Sequence, residues 1–326
     1  MSILNNSLIL GVMTFLSLTG HAHDHAHEKI KPGEYIDNLY PQQISEPYLL
    51  RQLTDKSYWA SVHGYSALFY VGEEGVMLVD PLGPGAGEGL LAAIKSVTDL
   101  PITALVYSHY HLDHIGDAPL IINTNKNMKI YASETTAEHA EFYKHVPLPT
   151  EVIAEPRGQF TFEDVVVEMY TPEQGHSDDD SIIFIPSEKV VHFVDMINPG
   201  QMPYLNFAGV QDFNAYQDNL RYLLTLDWTL MNAGHANVGS KKDVEFVLNY
   251  IEELKIAISG TFGKIKPITY HDPAYNHQRA VQRYQAAVTK AIREPFEKKY
   301  GHYYGFNDAF PTQVGVVLSH LQLYGK

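Results

Sequence analysis

The chain has 326 residues, no cysteine and a formal net charge of −15, from 38 acidic side chains against 23 lysines and arginines. Without cysteine it has no disulfide, no thiolate metal site and no cysteine nucleophile, and its negative charge argues against nucleic acid as a partner. Hydrophobic residues make up 45% of the sequence, enough for a sizeable core in one large or two smaller α/β domains.

The chain begins with a predicted export signal. Residues 7–20 form an apolar run too short to span a bilayer comfortably, and Gly20 and Ala22 are small residues of the kind that flank a cleavage site. We therefore predict that residues 1–22 are a signal peptide cleaved after Ala22. The mature protein would be periplasmic or secreted, with no stable membrane span. An uncleaved anchor is the alternative, because no lysine or arginine precedes the run.

A histidine-rich stretch, HAHDHAHEK, follows the apolar run. It admits two interpretations, a flexible tail that collects zinc and a polar linker of biased composition. We assign residues 23–47 to an N-terminal linker on this basis. The alternating histidines stay outside the predicted catalytic site; they are His21, His23, His25 and His27.

Strands and helices then alternate along the chain. Residues 57–80 are typical of strands with a turn at 72–75, and a Gly/Pro-rich loop follows Asp80. The pattern next predicts helices at residues 88–100, 118–125 and 135–146. Between them it predicts an apolar, β-branched strand at 102–107 and a second strand at 129–133. The first half of the chain is therefore predicted to alternate β and α elements.

The second half repeats this alternation. The pattern predicts paired strands at residues 159–172 and two strands joined by a PSEK turn at 181–195. It then predicts two amphipathic helices, at 212–226 and 241–258. Two β-rich halves with helices outside predict an α/β fold, a four-layer αββα sandwich with a site at its strand ends. We place this domain at residues 48–262. Residues 263–326 are a mostly helical C-terminal extension that covers a face or pairs with a second subunit in a homodimer.

Three imidazoles and a carboxylate are crowded into SHYHLDH, directly after the predicted strand at 102–107. Alternation along an extended chain sends His109 and His111 to one side, and a following turn brings Asp113 and His114 toward the same point. Imidazole nitrogens with a carboxylate oxygen are ligands that Zn²⁺ prefers. The spacing therefore predicts a metal site.

Three later positions follow predicted strands or apolar stretches. His176 follows the strand VVVEMY, Asp195 ends VVHFVD, and His235 lies in the glycine-flanked stretch GHANVG. Each alone is also what an ordinary loop histidine or strand-ending aspartate would look like. Because a catalytic zinc needs at least three protein ligands, these positions complete the predicted site in combination with the histidine cluster.

These motifs together resemble the metallo-β-lactamase superfamily, which has His-x-His-x-Asp-His, a distant His, a distant Asp and a final Gly-His. The resemblance runs from about residue 57 to residue 258 and implies a metallo-β-lactamase-type αββα fold. It implies a first metal on His109, His111 and His176, a second on Asp113, His114 and His235, and Asp195 as the bridge between them. The implied cofactor is two Zn²⁺ per chain, with iron or manganese as alternatives.

The resemblance also implies an activity. Aspartate at position 195 is similar to the glyoxalase II-like and lactonase-like branches, whereas zinc β-lactamases generally place Cys or Ser nearby. The implied enzyme is an exported dinuclear zinc hydrolase that uses a metal-bridging hydroxide on an ester, lactone, thioester or amide. Asp113 would be its catalytic residue, and β-lactamase activity would be at most a side reaction.

Other functions compete with this interpretation. An iron oxygenase resembling the persulfide dioxygenase branch would leave the second metal site unused, and the presence of His114 and His235 argues against it. A phosphodiesterase or nuclease of the same superfamily is disfavoured by the negative charge, the predicted export signal and the absence of a basic patch. A non-enzymatic zinc-binding protein is suggested by the histidine-rich stretch alone.

The expected partner is a small-molecule substrate. The apolar and aromatic stretch at 196–209 follows Asp195 and contains Tyr204 and Phe207, which we predict to bind substrate. The alternative is that both rings only pack this loop onto the domain.

Overall fold

The computed structural model describes residues 29–271 and 276–325, so the predicted signal peptide and its neighbouring histidines His21–His27 lie outside the described residues. The strands are β1 (Leu49–Gln52), β2 (Ser57–Val62), β3 (Tyr65–Val71), β4 (Val76–Val79), β5 (Ile102–Val106), β6 (Lys129–Ser133), β7 (Glu151–Ile153), β8 (Arg157–Phe162), β9 (Val165–Tyr170), β10 (Ile182–Ile185), β11 (Val190–His192) and β12 (Leu230–Asn232). The helices are α1 (Leu39–Ser45), α2 (Gly87–Val97), α3 (Leu112–Ile115), α4 (Ala118–Ile122), α5 (Glu134–Ala140), α6 (Asn206–Gly209), α7 (Phe213–Thr225), α8 (Lys241–Ser259), α9 (His277–Tyr300) and α10 (Phe306–Tyr324), with a 3₁₀ turn at Pro267–Tyr270.

The strands form two sheets, in the orders β1-β2-β3-β4-β5-β6-β7 and β12-β11-β10-β9-β8. In the larger sheet β4 to β7 run parallel, and in the smaller sheet β12 runs parallel to β11. The sheets meet at the ends of β4 and β11, because Asp80, directly after β4, contacts His192 at the end of β11. This edge of the sandwich carries the candidate site.

Three hydrophobic clusters separate the layers. The cluster between the sheets contains Trp59, Val106 and Ile185, all fully buried. A second cluster packs α2 and α4 onto the larger sheet, and a third packs α7 to α10 onto the smaller one. Because helices and sheets cover both faces of the central strands, those strands are apolar throughout and show little alternation. The predicted four-layer αββα sandwich is confirmed.

The structure corrects the linker prediction for residues 29–47. This segment contains α1, and its Ile30, Ile36 and Leu39 are buried in the cluster between the sheets. The Asn237 amide fastens it, with Oδ1 accepting from the Ile36 backbone N–H at 2.8 Å. The biased composition ends near residue 29, and its few apolar residues show no period, so the sequence pattern did not reveal that the segment is packed.

The helical C-terminal extension is confirmed by α9 and α10. Both helices share one hydrophobic cluster with α7 and α8, with Ile292 and Val317 among the buried contributors. Within residues 29–271 and 276–325, no helix combines the length and hydropathy needed to cross a bilayer.

Truncating Phe310 on α10 tests how tightly this extension is integrated. Its ring is fully buried and lies 5.4 Å from the Phe296 ring and 5.1 Å from the Phe306 ring, centroid to centroid. Phe310→Ala is expected to lower the free energy of unfolding by about 3–5 kcal/mol, measured by urea denaturation. Tyr324→Ala, at an exposed position of the same helix, should change it by less than about 0.5 kcal/mol. Equal effects of the two variants would contradict this packing.

Candidate metal centre

The histidine cluster lies where β5 ends and α3 begins. His109 follows the strand by three residues, His111 is the extended residue before α3, and Asp113 and His114 occupy its first turn. The backbone therefore changes from extended to helical between His111 and Asp113. As predicted, this change turns all four side chains toward one point.

All seven predicted metal-binding residues converge there. One group consists of His109, His111, His176 and Asp195, and the other of Asp113, His114, Asp195 and His235; within each group the candidate ligand atoms lie within 4.8 Å of one another. Asp195 belongs to both groups. Its Oδ2 lies 3.3 Å from the Nε2 atoms of both His114 and His176, and its Oδ1 lies 3.1 Å from Nε2 of His235.

Buried polar atoms without hydrogen bonds show that the residues fit a cation. Nε2 of His109, Nε2 of His114 and Oδ1 of Asp195 are buried and have no hydrogen-bond partner. Leaving such atoms unpaired is costly, so each needs a partner. Imidazole nitrogens and carboxylate oxygens directed at one point are compatible with a divalent metal ion.

A carboxylate behind the cluster orients it. Asp80 is fully buried and accepts hydrogen bonds from the Ser108 hydroxyl (2.7 Å), from Nδ1 of His114 (2.9 Å) and from Nε2 of His192 (2.9 Å). Burial raises the pKa of Asp80, but the charges and hydrogen bonds of His192 and His114 outweigh it and hold the pKa below its usual range. This carboxylate fixes the His114 tautomer that directs Nε2 into the cluster.

Backbone carbonyls orient two further imidazoles. Nδ1 of His235 lies 3.2 Å from the Gly64 carbonyl oxygen, and Nδ1 of His176 donates to the Ala208 carbonyl oxygen at 2.5 Å. The Ala208 carbonyl is presented by α6, a single left-handed turn in which Asn206, Phe207 and Ala208 have φ of 53°, 51° and 55°. Non-glycine residues adopt this conformation only when the surroundings enforce it.

The electrostatics of the cluster favour added positive charge. Burial lowers the pKa of His176 and His235, but contacts with Asp195 outweigh it and raise both to about 9. Burial raises the pKa of Asp113, yet His235 and His114 lower it to about 2. His109, in contrast, has its pKa lowered well below the usual range by burial, which keeps it in the neutral, metal-binding form.

The acidic segment after His176 supports this loop. Asp180 accepts hydrogen bonds from the backbone N–H groups of His176 (2.8 Å) and Ser177 (2.9 Å), so it positions the imidazole from behind. Asp178 faces outward and lies 2.9 Å from Nε2 of His139. Asp179 is buried, accepts from the Ser177 hydroxyl at 2.7 Å, and leaves Oδ2 without a partner.

Asp179 predicts a pH dependence of stability. Burial, with help from the charge of Asp180, raises its pKa from 3.8 to about 7. Between these pH values the folded state holds the proton more tightly than the unfolded state, so the free energy of unfolding falls as pH rises. Asp179→Asn is expected to gain stability relative to wild type over this window, by at most about 4 kcal/mol above pH 7. Urea denaturation of both proteins at several pH values measures the difference between their free energies of unfolding. Effects of bound metal that both proteins share cancel in this difference. Asp178→Asn is the control, and a difference independent of pH would contradict the prediction.

A cleft of about 650 Å³ opens onto the cluster. Of the two predicted substrate-binding residues, Tyr204 lines it and is 61% exposed. The structure contradicts the prediction for Phe207. Its ring is 1% exposed and packs against the rings of Phe213 and Tyr216, because the left-handed turn directs it into the core.

Sequence reasoning missed part of the cleft wall. Asn198 and Gln201 belong to the stretch at 196–209, but the remaining wall residues come from distant segments: Tyr40, Gln43, His63, Tyr65 and Tyr304. Tyr40 lies in the segment assigned to the linker, and Tyr304 lies in the C-terminal extension. No local pattern marks such residues, because only long-range packing brings them to the cluster.

A two-sheet αββα fold with a double histidine–aspartate cluster at its edge defines a class of metal-binding proteins. The chain belongs to the metallo-beta-lactamase superfamily, whose family model matches residues 61–235. Solved structures agree on the fold. The metallo-beta-lactamase from Pontibacter korlensis aligns with a TM-score of 0.54 at 20% identity, over 62% of this chain and 97% of that chain. The DIM-1 metallo-beta-lactamase aligns with a TM-score of 0.54 at 14% identity, over 63% of this chain and 97% of that chain.

Two curated relatives carry different activities in their names. The chain is 28% identical over 216 residues to 2,4-dinitroanisole O-demethylase subunit alpha of Nocardioides sp. (strain JS1661), a match covering 64% of each chain. It is 25% identical over 206 residues to atrochrysone carboxyl ACP thioesterase of Aspergillus fumigatus, covering 62% of this chain and 60% of the relative. The matches thus span less than two thirds of either relative.

Proposed function

We propose that the protein is a zinc-dependent hydrolase that holds two metal ions and cleaves an ester, thioester, lactone or amide. One observation carries this proposal. Asp195 is shared by two groups of candidate ligands, and each group offers four nitrogen or oxygen atoms within 4.8 Å of one another. A purely mononuclear function would not need Asp113, His114 and His235 to converge on the same carboxylate.

The residues divide into two ligand sets. One ion would be held by His109, His111 and His176, and the other by Asp113, His114 and His235. Asp195 would bind both ions. When bound, such ions polarise a carbonyl oxygen and lower the pKa of a water molecule.

Asp113 has the best placement for a catalytic role. Its side chain is 34% exposed and lines the cleft, while its Oδ2 lies 3.6 Å from Nε2 of His235. Its pKa of about 2 keeps the carboxylate ionised at neutral pH, so it can accept a hydrogen bond from the attacking water and orient it. In the overall reaction the water oxygen bonds to the acyl carbon, the bond from that carbon to the leaving group breaks, and a proton passes to the leaving group.

The names of the two relatives support a bond-cleaving activity but point to different substrates. One is named as a thioesterase, which cleaves an acyl bond of the proposed kind, and the other as an O-demethylase, which cleaves a carbon–oxygen bond.

We also propose that the enzyme acts outside the cytoplasm, in the periplasm or as a secreted protein. That proposal rests on the apolar run at residues 7–20 and the small residues at 20 and 22.

Metal analysis combined with a substrate screen tests the proposal. The full chain and a variant with His21, His23, His25 and His27 changed to asparagine would be dialysed, and their metal content measured by mass spectrometry. We expect about two zinc ions per chain in the variant. We also expect turnover of esters, thioesters or lactones, and its loss in Asp113→Ala. About one iron ion per chain and no hydrolysis of any compound would overturn the proposal in favour of an oxygenase.

A further inference from the structure

The mouth of the cleft is formed by tyrosines from outside the family-matched region 61–235. Tyr40 comes from α1, and Tyr304 from the connection between α9 and α10. Their ring centroids lie 5.6 Å apart with planes inclined by 33°, and the residues are 50% and 58% exposed. Two aromatic surfaces from opposite ends of the chain therefore meet in solvent at the entrance to the metal centre.

Further aromatic groups continue this surface inward. The Tyr65 ring meets the His235 ring edge-on with centroids 5.2 Å apart, and Tyr204 lies on the wall formed by residues 198–208. The polar lining is completed by amides, such as those of Asn198 and Gln201. Among the described residues that line the cleft there is no lysine or arginine, so away from the metal centre no permanently charged cation is available to pair with an anionic substrate group.

The wall is held in place from both ends of the chain. The Gln313 side chain on α10 is fully buried and donates to the carbonyl oxygens of Pro203 (2.5 Å) and Tyr204 (3.3 Å). The Tyr304 carbonyl oxygen accepts from the backbone N–H of Met202 at 3.1 Å. On the other side, buried Gln43 of α1 donates to the Ser61 hydroxyl at 2.9 Å. These bonds make the tyrosine-lined mouth a preformed surface, as expected of a small-molecule site.

We propose that this cleft selects substrates carrying an uncharged aromatic group, which binds against Tyr40 and Tyr304 while the scissile bond lies at the metal centre. Cleavage of the bound substrate rests on the proposed hydrolase function, but binding of the aromatic group does not. Aromatic rings contribute contact energy beyond their buried area when they meet edge-on or offset. A carboxylate in the same place would find no lysine or arginine with which to form an ion pair.

A binding measurement tests the inference without any turnover. Three unreactive probes of similar size, benzyl alcohol, cyclohexylmethanol and 4-(hydroxymethyl)benzoate, would be titrated calorimetrically into the full chain as purified. Benzyl alcohol is expected to bind at least about threefold more tightly than either of the others. Tyr304→Ala should weaken its binding by about three- to tenfold, whereas Tyr324→Ala, which removes an exposed ring from a distant surface, should not. Equal affinities, or no loss in a Tyr304→Ala variant with wild-type circular dichroism, would overturn the inference.

A kinetic measurement separates this inference from the proposed function. Phenyl acetate and its anionic analogue 4-acetoxybenzoate each react with water so that the acetyl carbon gains the water oxygen, the bond to the phenolic oxygen breaks, and acetate, a phenol and a proton form. The expected result is a KM at least about tenfold higher for the anion, with a KM for phenyl acetate that rises in Tyr304→Ala while kcat stays within about twofold. Hydrolysis of both esters with equal KM would overturn the inference alone. Selective binding of benzyl alcohol without hydrolysis of any ester, thioester, lactone or amide would overturn the proposed function alone.

Discussion

Replacing Asp195 with asparagine is expected to remove at least one of the two metal ions and to lower hydrolysis by more than about 100-fold. Loss of a hydrogen-bond partner behind a metal ligand already costs about 10- to 100-fold. Asp195 is itself placed in both candidate ligand groups and lies within 3.3 Å of three imidazoles, so its loss should cost more. The amide keeps the side chain's shape but removes the charge.

The measurement is metal content by mass spectrometry together with kcat/KM on the best substrate from the screen. Asp178→Asn is the matched control, because this nearby carboxylate faces His139 and belongs to neither ligand group. It should keep both metal content and activity. Retention of two metal ions and normal activity by Asp195→Asn would show that Asp195 does not bridge them.

The second large effect is expected on stability, from Asp80→Asn. The fully buried carboxylate accepts from His114, His192 and the Ser108 hydroxyl through Oδ2 and from the Ser108 backbone N–H through Oδ1. The amide loses the negative charge, and its NH2 group must face one of these donors. Breaking a buried charged cluster by removing one partner costs about 3–5 kcal/mol. Because the pKa of Asp80 is lowered on folding, its contribution is present above the unfolded value of 3.8 and is lost only as pH falls through the lower folded value.

Urea denaturation at pH 7 in the presence of a chelator measures this loss without the metal's contribution. The graded control is Asp117→Asn, whose partly exposed carboxylate accepts from the backbone N–H of Gly85 (2.9 Å) and of Gly87 (2.7 Å) at the start of α2. That variant should lose about 1 kcal/mol, as for a helix cap. Comparable losses in the two variants would contradict a special role for Asp80.

The sequence was informative where chemistry and periodicity are local. The histidine–aspartate cluster could be predicted because four of its residues lie within six positions at the end of one strand. The layers could be predicted because helical and strand periods alternate. His192 shows the limit. Its strand was predicted, but its bond to Asp80 depends on how two sheets pack. Phe207 was misassigned because a left-handed turn of non-glycine residues has no signature in the sequence.

The participation of both chain ends in the cleft has an evolutionary consequence. The candidate ligands lie between residues 109 and 235, on the double sheet, whereas Tyr40 and Tyr304 belong to segments beyond the family-matched region. Substitutions, insertions or exchanges in these terminal segments can remodel the entrance while leaving the ligand scaffold intact. Such a division would let new substrates be reached through changes in the terminal segments, without changes to the candidate metal ligands.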